Sequence, residues 1–288
     1  MSLSPTELKS QTRILALTPE DMTVTVQTGL MLGALQTELA KHGQWLPIDP
    51  PNADTTSIHD LLAWDLSGPR RFGYGTIREH LIGMKVALAD GRVIKSGGQV
   101  VKNVAGYDLA KLFIGARGSL GTIVEATFKL RPKPAIERIV GKIFALSDVT
   151  NALRDILGSE LTPVIVDLHR LADPASITLV IGLAGTREEV DWQLARAAQL
   201  GFTADTTLHY ETVFWQDTDP VNRISVLPTR VPEMIGQLGD EPFVARAGNG
   251  VIYHRGESRG PKSVLPVELM RRVKATYDPK NLLPEFAA

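Results

Sequence analysis

The chain has no cysteine among its 288 residues. That single absence excludes a disulfide framework, a thiolate nucleophile, a thiolate zinc site and an iron–sulfur cluster held by this chain. It also lacks a surplus of either charge, with 31 Lys and Arg against 32 Asp and Glu. Counterion-driven binding to nucleic acid needs a basic excess, so no nucleic-acid partner is expected. No apolar run approaches the roughly 18 residues that cross a bilayer. The N-terminal "MSLSPTELKSQTRILAL" has no cationic start leading into an apolar core. Neither a membrane span nor a signal peptide is therefore predicted. The expected location is the cytoplasm, with docking at the inner membrane through partners left open. The histidines His42, His59, His80, His169, His209 and His254 show neither HxH nor HxxxH spacing, and no GxSxG elbow is present. No metal site and no serine nucleophile are predicted.

What the chain does have is 43% apolar residues and enough length for two ordinary domains. "MTVTVQT" alternates and is β-branched, so residues 22–28 are a predicted strand. Leu32, Leu35 and Leu39 recur at helical spacing, and Gly43 is placed to stop that helix. "WLPIDPPNADTTS" is a loop. "LIGMKVALADGRVIKSGG" is a hairpin turned by Asp90-Gly91. Asp108 caps a short helix to about Ile114, Gly115 to Gly121 form a loop, and Thr122 to Leu130 a strand. Pro132 and Pro134 mark a domain boundary. Beyond it the order is strand, helix, two strands, helix, strand. The second helix opens on a Thr186/Glu189 capping box. That order predicts a ferredoxin-like antiparallel sheet with helices on one face. Further strands at "NRISVL" and "GNGVIYHR" and a helix at "PVELMRRVKATY" follow.

Two stretches invite a ligand. Gly115, Gly118 and Gly121 recur every third residue. A dinucleotide fingerprint needs a strand, then GxGxxG, then a helix. Here a helix comes first, the spacing is GxxGxxG and a strand follows, so a Rossmann site is not supported. No GK[ST] follows either, which excludes a phosphate loop of the Walker type. The bland alternative is a helix stop and a tight turn. The second stretch, "LSGPRRFGYGTIREH", combines Gly68, Gly73 and Gly75 with Arg70 and Arg71. Exposed amides beside arginines suit an anionic group, whereas the alternative is a solvated loop.

Taken together, "SGPRRFGYG", "LADGRVIKSGGQVVKNVAGYDLAKLFIGARGSLGTIVEATFKLRPKP" and "KATYDPKNLLP" resemble the PCMH-type FAD-binding domain of the vanillyl-alcohol-oxidase superfamily. Within it, "GGQVVKNVAGYDLAKLFIG" is most similar to the E subunit of bacterial glycolate oxidase. The resemblance implies an α+β fold, with an FAD-binding domain over residues 1–134 and a ferredoxin-like cap over 135–288. It implies non-covalently bound FAD. Gly115, Gly118 and Gly121 would lie beside its adenosine–pyrophosphate part, Ile123 and Val124 beside adenine, and Ser67, Gly68, Gly73 and Gly75 along the phosphate–ribityl stretch. Lys102, Asn103, Tyr107 and Asp108 complete the signature. The implied partners are a flavin D-type subunit, an iron–sulfur subunit and a small 2-hydroxy acid.

The sequence departs from the family in three places. The family's opening βα unit with its pyrophosphate loop has no counterpart, so a truncated first subdomain is expected. His59 and Asp60 stand where the family has a Gly-Gly pair, and the ending reads "DPKNLLPEF". No catalytic residue is assigned by these motifs. Trp215, Arg223, His254 and Arg255 are candidates to line a substrate cap, since a 2-hydroxy acid carboxylate calls for arginine.

Overall fold

The computed structural model describes residues 7, 10–98, 109–171, 173, 176–257 and 266–286. The Lys102, Asn103, Tyr107 and Asp108 signature lies outside the described residues. Two compact units emerge. One comprises Met1–Gly68, Gly75–Lys133 and Ser263–Ala288, the other Pro69–Tyr74 and Pro134–Lys262. Where the sequence suggests one boundary near Pro134, the chain changes unit several times. Local chemistry accounts for the short excursion at Pro69–Tyr74. Arg70 makes a two-pronged pair with Glu137 (2.9 and 2.6 Å), and the Gly73 amide donates to Val164 O at 3.1 Å.

The first unit runs through β1 (Ile14–Thr18), β2 (Thr23–Gln27), α1 (Leu32–Ala40), β3 (Gln44–Trp45) and α2 (Ile58–Ala63). After α3 (Arg71–Tyr74), which belongs to the second unit, come α4 (Ile77–His80), β4 (Leu81–Ala87), β5 (Val93–Gly97), α5 (Ala110–Phe113), β6 (Thr122–Lys129) and β7 (Arg131–Pro132). Five strands form an antiparallel sheet in the order β1-β2-β6-β4-β5. The leucine stripe of α1 explains its docking, since Leu32, Leu35 and Leu39 are fully buried against Val24, Val26 and Phe128. Each such leucine contributes about 2 kcal/mol of burial. Gly43 (φ +64°) ends the turn after α1, as its spacing predicts.

In the second unit, β8 (Ile136–Phe144), α6 (Val149–Leu157), β9 (Ile165–Arg170), β10 (Ile177–Gly185), α7 (Arg187–Gln199) and β11 (Ala204–Asp205) give the ferredoxin-like strand order β11-β8-β10-β9. Then come α8 (His209–Gln216), β12 (Val221–Ser225), α9 (Val231–Gln237), β13 (Phe243–Arg246) and β14 (Val251–Arg255). They extend the sheet as β9-β13-β14-β12. The period of two separates the faces. Leu179 and Ile181 of β10 join Val149, Leu153 and Val190 in one core, while Val180 joins Tyr210 and Phe214 of α8 on the opposite face. The capping box of α7 is present, with Glu189 N donating to Thr186 Oγ1 at 3.3 Å and Thr186 N to Glu189 Oε2 at 2.7 Å. The chain then returns to the first unit as α10 (Val267–Tyr277), whose Tyr277 ring meets Phe113 edge-on at 5.2 Å.

Candidate functional site

The glycine-rich loop between α5 and β6 has Gly115, Gly118 and Gly121 all at positive φ. Hydrogen bonds fix its start. Gly115 N donates to Leu62 O at 2.9 Å and Arg117 N to Ala63 O at 3.1 Å, which satisfies carbonyls at the end of α2. Arg78 of α4 ties the preceding turn. Its Nη1 donates to Lys111 O (2.7 Å), its Nη2 to Ile114 O (2.6 Å) and its Nε to the Asp65 carboxylate (2.9 Å). Four of the loop's amides, those of Gly115, Ala116, Arg117 and Ser119, are engaged within the protein. Gly121 is needed for packing, because a Cβ there would stand 2.7 Å from Val86 Cγ1. Gly118 differs: among the described residues, its chain neighbours aside, no atom lies within 4 Å of where its Cβ would be.

The other expected cofactor residues are distributed unevenly. Ile123 and Val124 are buried in β6, and their carbonyls accept from Thr28 Oγ1 (2.7 Å) and Thr28 N (3.1 Å). Ser67 is buried. A Cβ on Gly68 would fall 1.7 Å from Asp49 O. Gly75 (φ +86°) precedes the start of α4, where Glu79 accepts from Thr76 N at 2.6 Å. Gly73 belongs to the second unit and abuts Val164 there. Eight of the nine residues therefore share the first unit, and Arg70, with its charge engaged by Glu137, groups with the second.

His59 and Asp60 lie in α2. Ser57 Oγ caps that helix, accepting from Asp60 N at 3.0 Å, and donates to Asp60 Oδ2 at 2.6 Å. The Asp60 charge is held at the start of its own helix, where it complements the backbone dipole. His59 N donates to Thr28 O at 2.7 Å, while the buried Nδ1 has no hydrogen-bond partner among the described residues. A buried ring nitrogen without a partner is uncommon in a folded protein and invites one.

The second unit holds a polar cluster that the motifs did not reveal. Asp167 of β9 and Arg246 of β13 stand opposite each other across the strand pair, and both are about 1% exposed. Arg246 Nη1 donates to Asp167 Oδ2 (2.6 Å) and Glu211 Oε1 (2.7 Å), and its Nη2 to Glu211 Oε2 (2.6 Å). Tyr210 Oη donates to Asp167 Oδ2 at 2.7 Å, and the His169 ring stacks on Tyr210 at 4.5 Å. Two carboxylates thus share one guanidinium away from water. Burial pushes the Asp167 carboxyl up to about 7, with Arg246 opposing and Glu211 reinforcing the rise. Burial drives His169 down to about 4.

The signs of these two shifts oppose. The Asp167 contribution to stability is present below its ordinary value near 4 and is lost as pH rises through about 7. That of His169 is present above 6.5 and is lost as pH falls towards 4. Asp167→Asn leaves only the histidine term. Its melting temperature is expected to climb more steeply than wild type between pH 4 and 6.5 in thermal scans, and equal slopes would refute the assignment.

Of the residues considered for a substrate cap, Trp215 Nε1 donates to Glu211 Oε2 at 3.2 Å, and Arg255 is buried with Nη2 donating to Asp217 O at 3.0 Å and to Phe214 O. His254 pairs with Glu241 at 3.0 Å, and Arg223 faces Tyr253 in register on the outer strand. Among the described residues no three His, Asp or Glu cluster to hold a metal, and no helix is long and apolar enough to cross a membrane.

Comparison with known proteins bears on this geometry. The family described as FAD binding domain matches residues 6–97. The chain is 32% identical over 160 residues to glycolate oxidase subunit GlcD of Bacillus subtilis, covering 55% of this chain and 34% of that protein. It is 31% identical over 147 residues to glycolate oxidase subunit GlcE of Escherichia coli, covering 51% and 41%. A mitochondrial cytochrome D-lactate dehydrogenase of Arabidopsis thaliana is 41% identical over 123 residues, covering 42% and 21%. The matched part is thus well under half of each of these relatives. Among solved structures, an alkyldihydroxyacetonephosphate synthase superposes with a TM-score of 0.73 at 18% identity. It covers 96% of this chain and 65% of the synthase, a likeness of fold. Residues 6–97 thus carry an FAD-binding domain, which supports FAD as the cofactor, and the chain is similar to glycolate oxidase subunits and D-lactate dehydrogenases.

Proposed function

We propose that this chain is the FAD-binding subunit of a glycolate-oxidase-like complex that oxidises a 2-hydroxy acid, with a flavin D-type subunit and an iron–sulfur subunit as partners. The absence of cysteine supports the division of labour, because these 288 residues cannot themselves hold a thiolate-ligated cluster that carries electrons onward. When bound, FAD supplies the hydride-accepting chemistry. The residues of this chain bind and orient. The observation that carries the reading is the glycine loop, whose ends are pinned by α2 and Arg78 while Gly118 keeps an open side. The buried His59 Nδ1, without a partner among the described residues, offers a polar contact from the same unit. The residues present therefore fit a bound dinucleotide, with Gly115, Gly118, Gly121, Ile123, Val124, Ser67, Gly68 and Gly75 proposed to hold it. Gly73 belongs to the second unit and is left out of the proposed set. The setting proposed with this reading is the cytoplasm, at the inner membrane through the partner subunits.

The test is FAD binding by Gly118→Leu. Space is free for the side chain, and the positive φ costs about 1–2 kcal/mol of stability. A protein that stays folded and loses FAD affinity at least tenfold, read by the visible spectrum after desalting, supports the assignment. Unchanged FAD affinity removes it.

A second reading, a non-catalytic scaffold subunit with a degenerate flavin site, is favoured by one observation. Arg246, the most buried arginine of the second unit, is already neutralised by two carboxylates and has no charge to spare for a substrate acid. Reduction of bound flavin by 2-hydroxy acids, with and without the partner chains, separates the two readings.

A further inference from the structure

The matched family region stops at residue 97, and nothing in it concerns the C-terminal helix. Yet α10 carries a lysine in an unusual setting. Lys274 is only 5% exposed. A buried ammonium must be paired and hydrogen-bonded to be tolerated. Its Nζ meets Asp278 Oδ2 at 2.9 Å, Pro284 O at 3.1 Å, Leu283 O at 3.2 Å and Ser119 O at 3.4 Å. Asp278 is held in turn by the tail. Its Oδ1 accepts from Leu282 N and its Oδ2 from Leu283 N, both at 2.8 Å. Burial alone would raise this carboxyl, but those amides and Lys274 hold it below its ordinary value. The carboxylate is thereby kept ionised opposite the ammonium.

Ser119 is the significant partner, because it belongs to the glycine loop. Its amide and its hydroxyl both donate to Ala116 O, at 2.9 and 2.7 Å, closing the turn that contains Gly118. Its carbonyl is then the handle by which a group outside the loop can hold that turn. Lys274 takes this handle from a point 155 residues later in the chain. The loop and α10 also share the lining of a recess of about 360 Å³, to which Gly115, Arg117 and Ser119 contribute from one side and Met270 and Val273 from the other.

We propose that Lys274 is a positioning residue, whose ammonium, locked by Asp278 and the tail carbonyls, sets the conformation of the Gly115–Gly121 loop and so its affinity for FAD. The link to FAD rests on the functional reading above, whereas the link to the loop does not.

The experiment compares the full chain with Lys274→Met, Lys274→Arg and Asp278→Asn. Backbone hydrogen exchange is read without cofactor, and FAD affinity by fluorescence titration. Lys274→Met is expected to speed exchange of the amides in residues 115–121 at least tenfold, to leave exchange in α7 unchanged, and to weaken FAD binding at least tenfold. Lys274→Arg, which keeps the charge, is expected to restore much of both. Should the methionine variant fail to fold, Asp278→Asn keeps the lysine and the side-chain shape and is expected to show the same pattern more weakly. Wild-type exchange rates in the loop of the folded variants, with only the melting temperature lowered, would overturn the proposal. If the wild type takes up no FAD, the cofactor reading fails, and the loop exchange still decides the role of Lys274.

Discussion

Arg246→Met is expected to destabilise the second unit by about 3–5 kcal/mol, the cost of stripping a buried ion pair of one partner. The substitution keeps most of the volume and removes the guanidinium that two carboxylates share. Asp167 and Glu211 then face each other in a buried setting, with Tyr210 and Trp215 as the side-chain donors left among the described residues. The Asp167 carboxyl, already raised by burial, must rise further in pKa, so the deficit is expected to shrink as pH falls and to be largest at neutral pH and above. Urea unfolding followed by tryptophan fluorescence at several pH values measures it. A loss below 1 kcal/mol at pH 7 would mean that the cluster is not held by the arginine. The companion variant, with Met at 246 and Leu at both 167 and 211, is expected to recover most of the stability, because it replaces the whole ionic group by apolar packing.

Gly68→Ala is expected to cost the first unit about 3 kcal/mol or more. The added Cβ would stand 1.7 Å from Asp49 O and 2.4 Å from Asp49 C, which are backbone atoms with no rotamer to yield. The chain itself must move, the most expensive form of overpacking. Thermal melts check the size of the effect. The comparison with Gly118→Leu is the informative one. Gly68 is small because the protein's own backbone is already against it, whereas at Gly118 nothing of the described protein is. An alanine at 68 that melts like wild type would show that Asp49 can retreat.

The fold was legible wherever a local rule acted alone. The α1 leucine stripe, the Asp90-Gly91 hairpin and the Thr186/Glu189 box each depend on residues within a few positions. The ferredoxin-like strand order followed from the order of elements. What stayed hidden depends on distant partners. β13 was missed because "FVAR" is four residues long, and its strand character comes from pairing on both sides, with β9 and β14. The short helix α2 was missed because a proline-rich loop precedes it, though Ser57 followed by Asp60 was a usable capping signal. The polar cluster had one faint sign in Asp167, a charge in the middle of the apolar "VIVDLHR". Nothing in the sequence pointed from there to Arg246, 79 residues away. In the candidate site, the glycine spacing marked the loop. The tethers that hold it, from Arg78 and Lys274, are side chains that any surface helix could carry.

The return of α10 to the first unit also shapes how the molecule is made. The first unit cannot be completed until α10 is available, since the contact between Ser119 and Lys274 spans 155 residues. During synthesis the intervening residues emerge first. A second unit that folds as it emerges would draw the two flanks together and shorten the effective loop that α10 has to close. Folding of the first unit should then be slow and late, as expected where long-range contacts dominate. Mutations that weaken the second unit, Arg246→Met among them, should delay maturation of the glycine loop in the first.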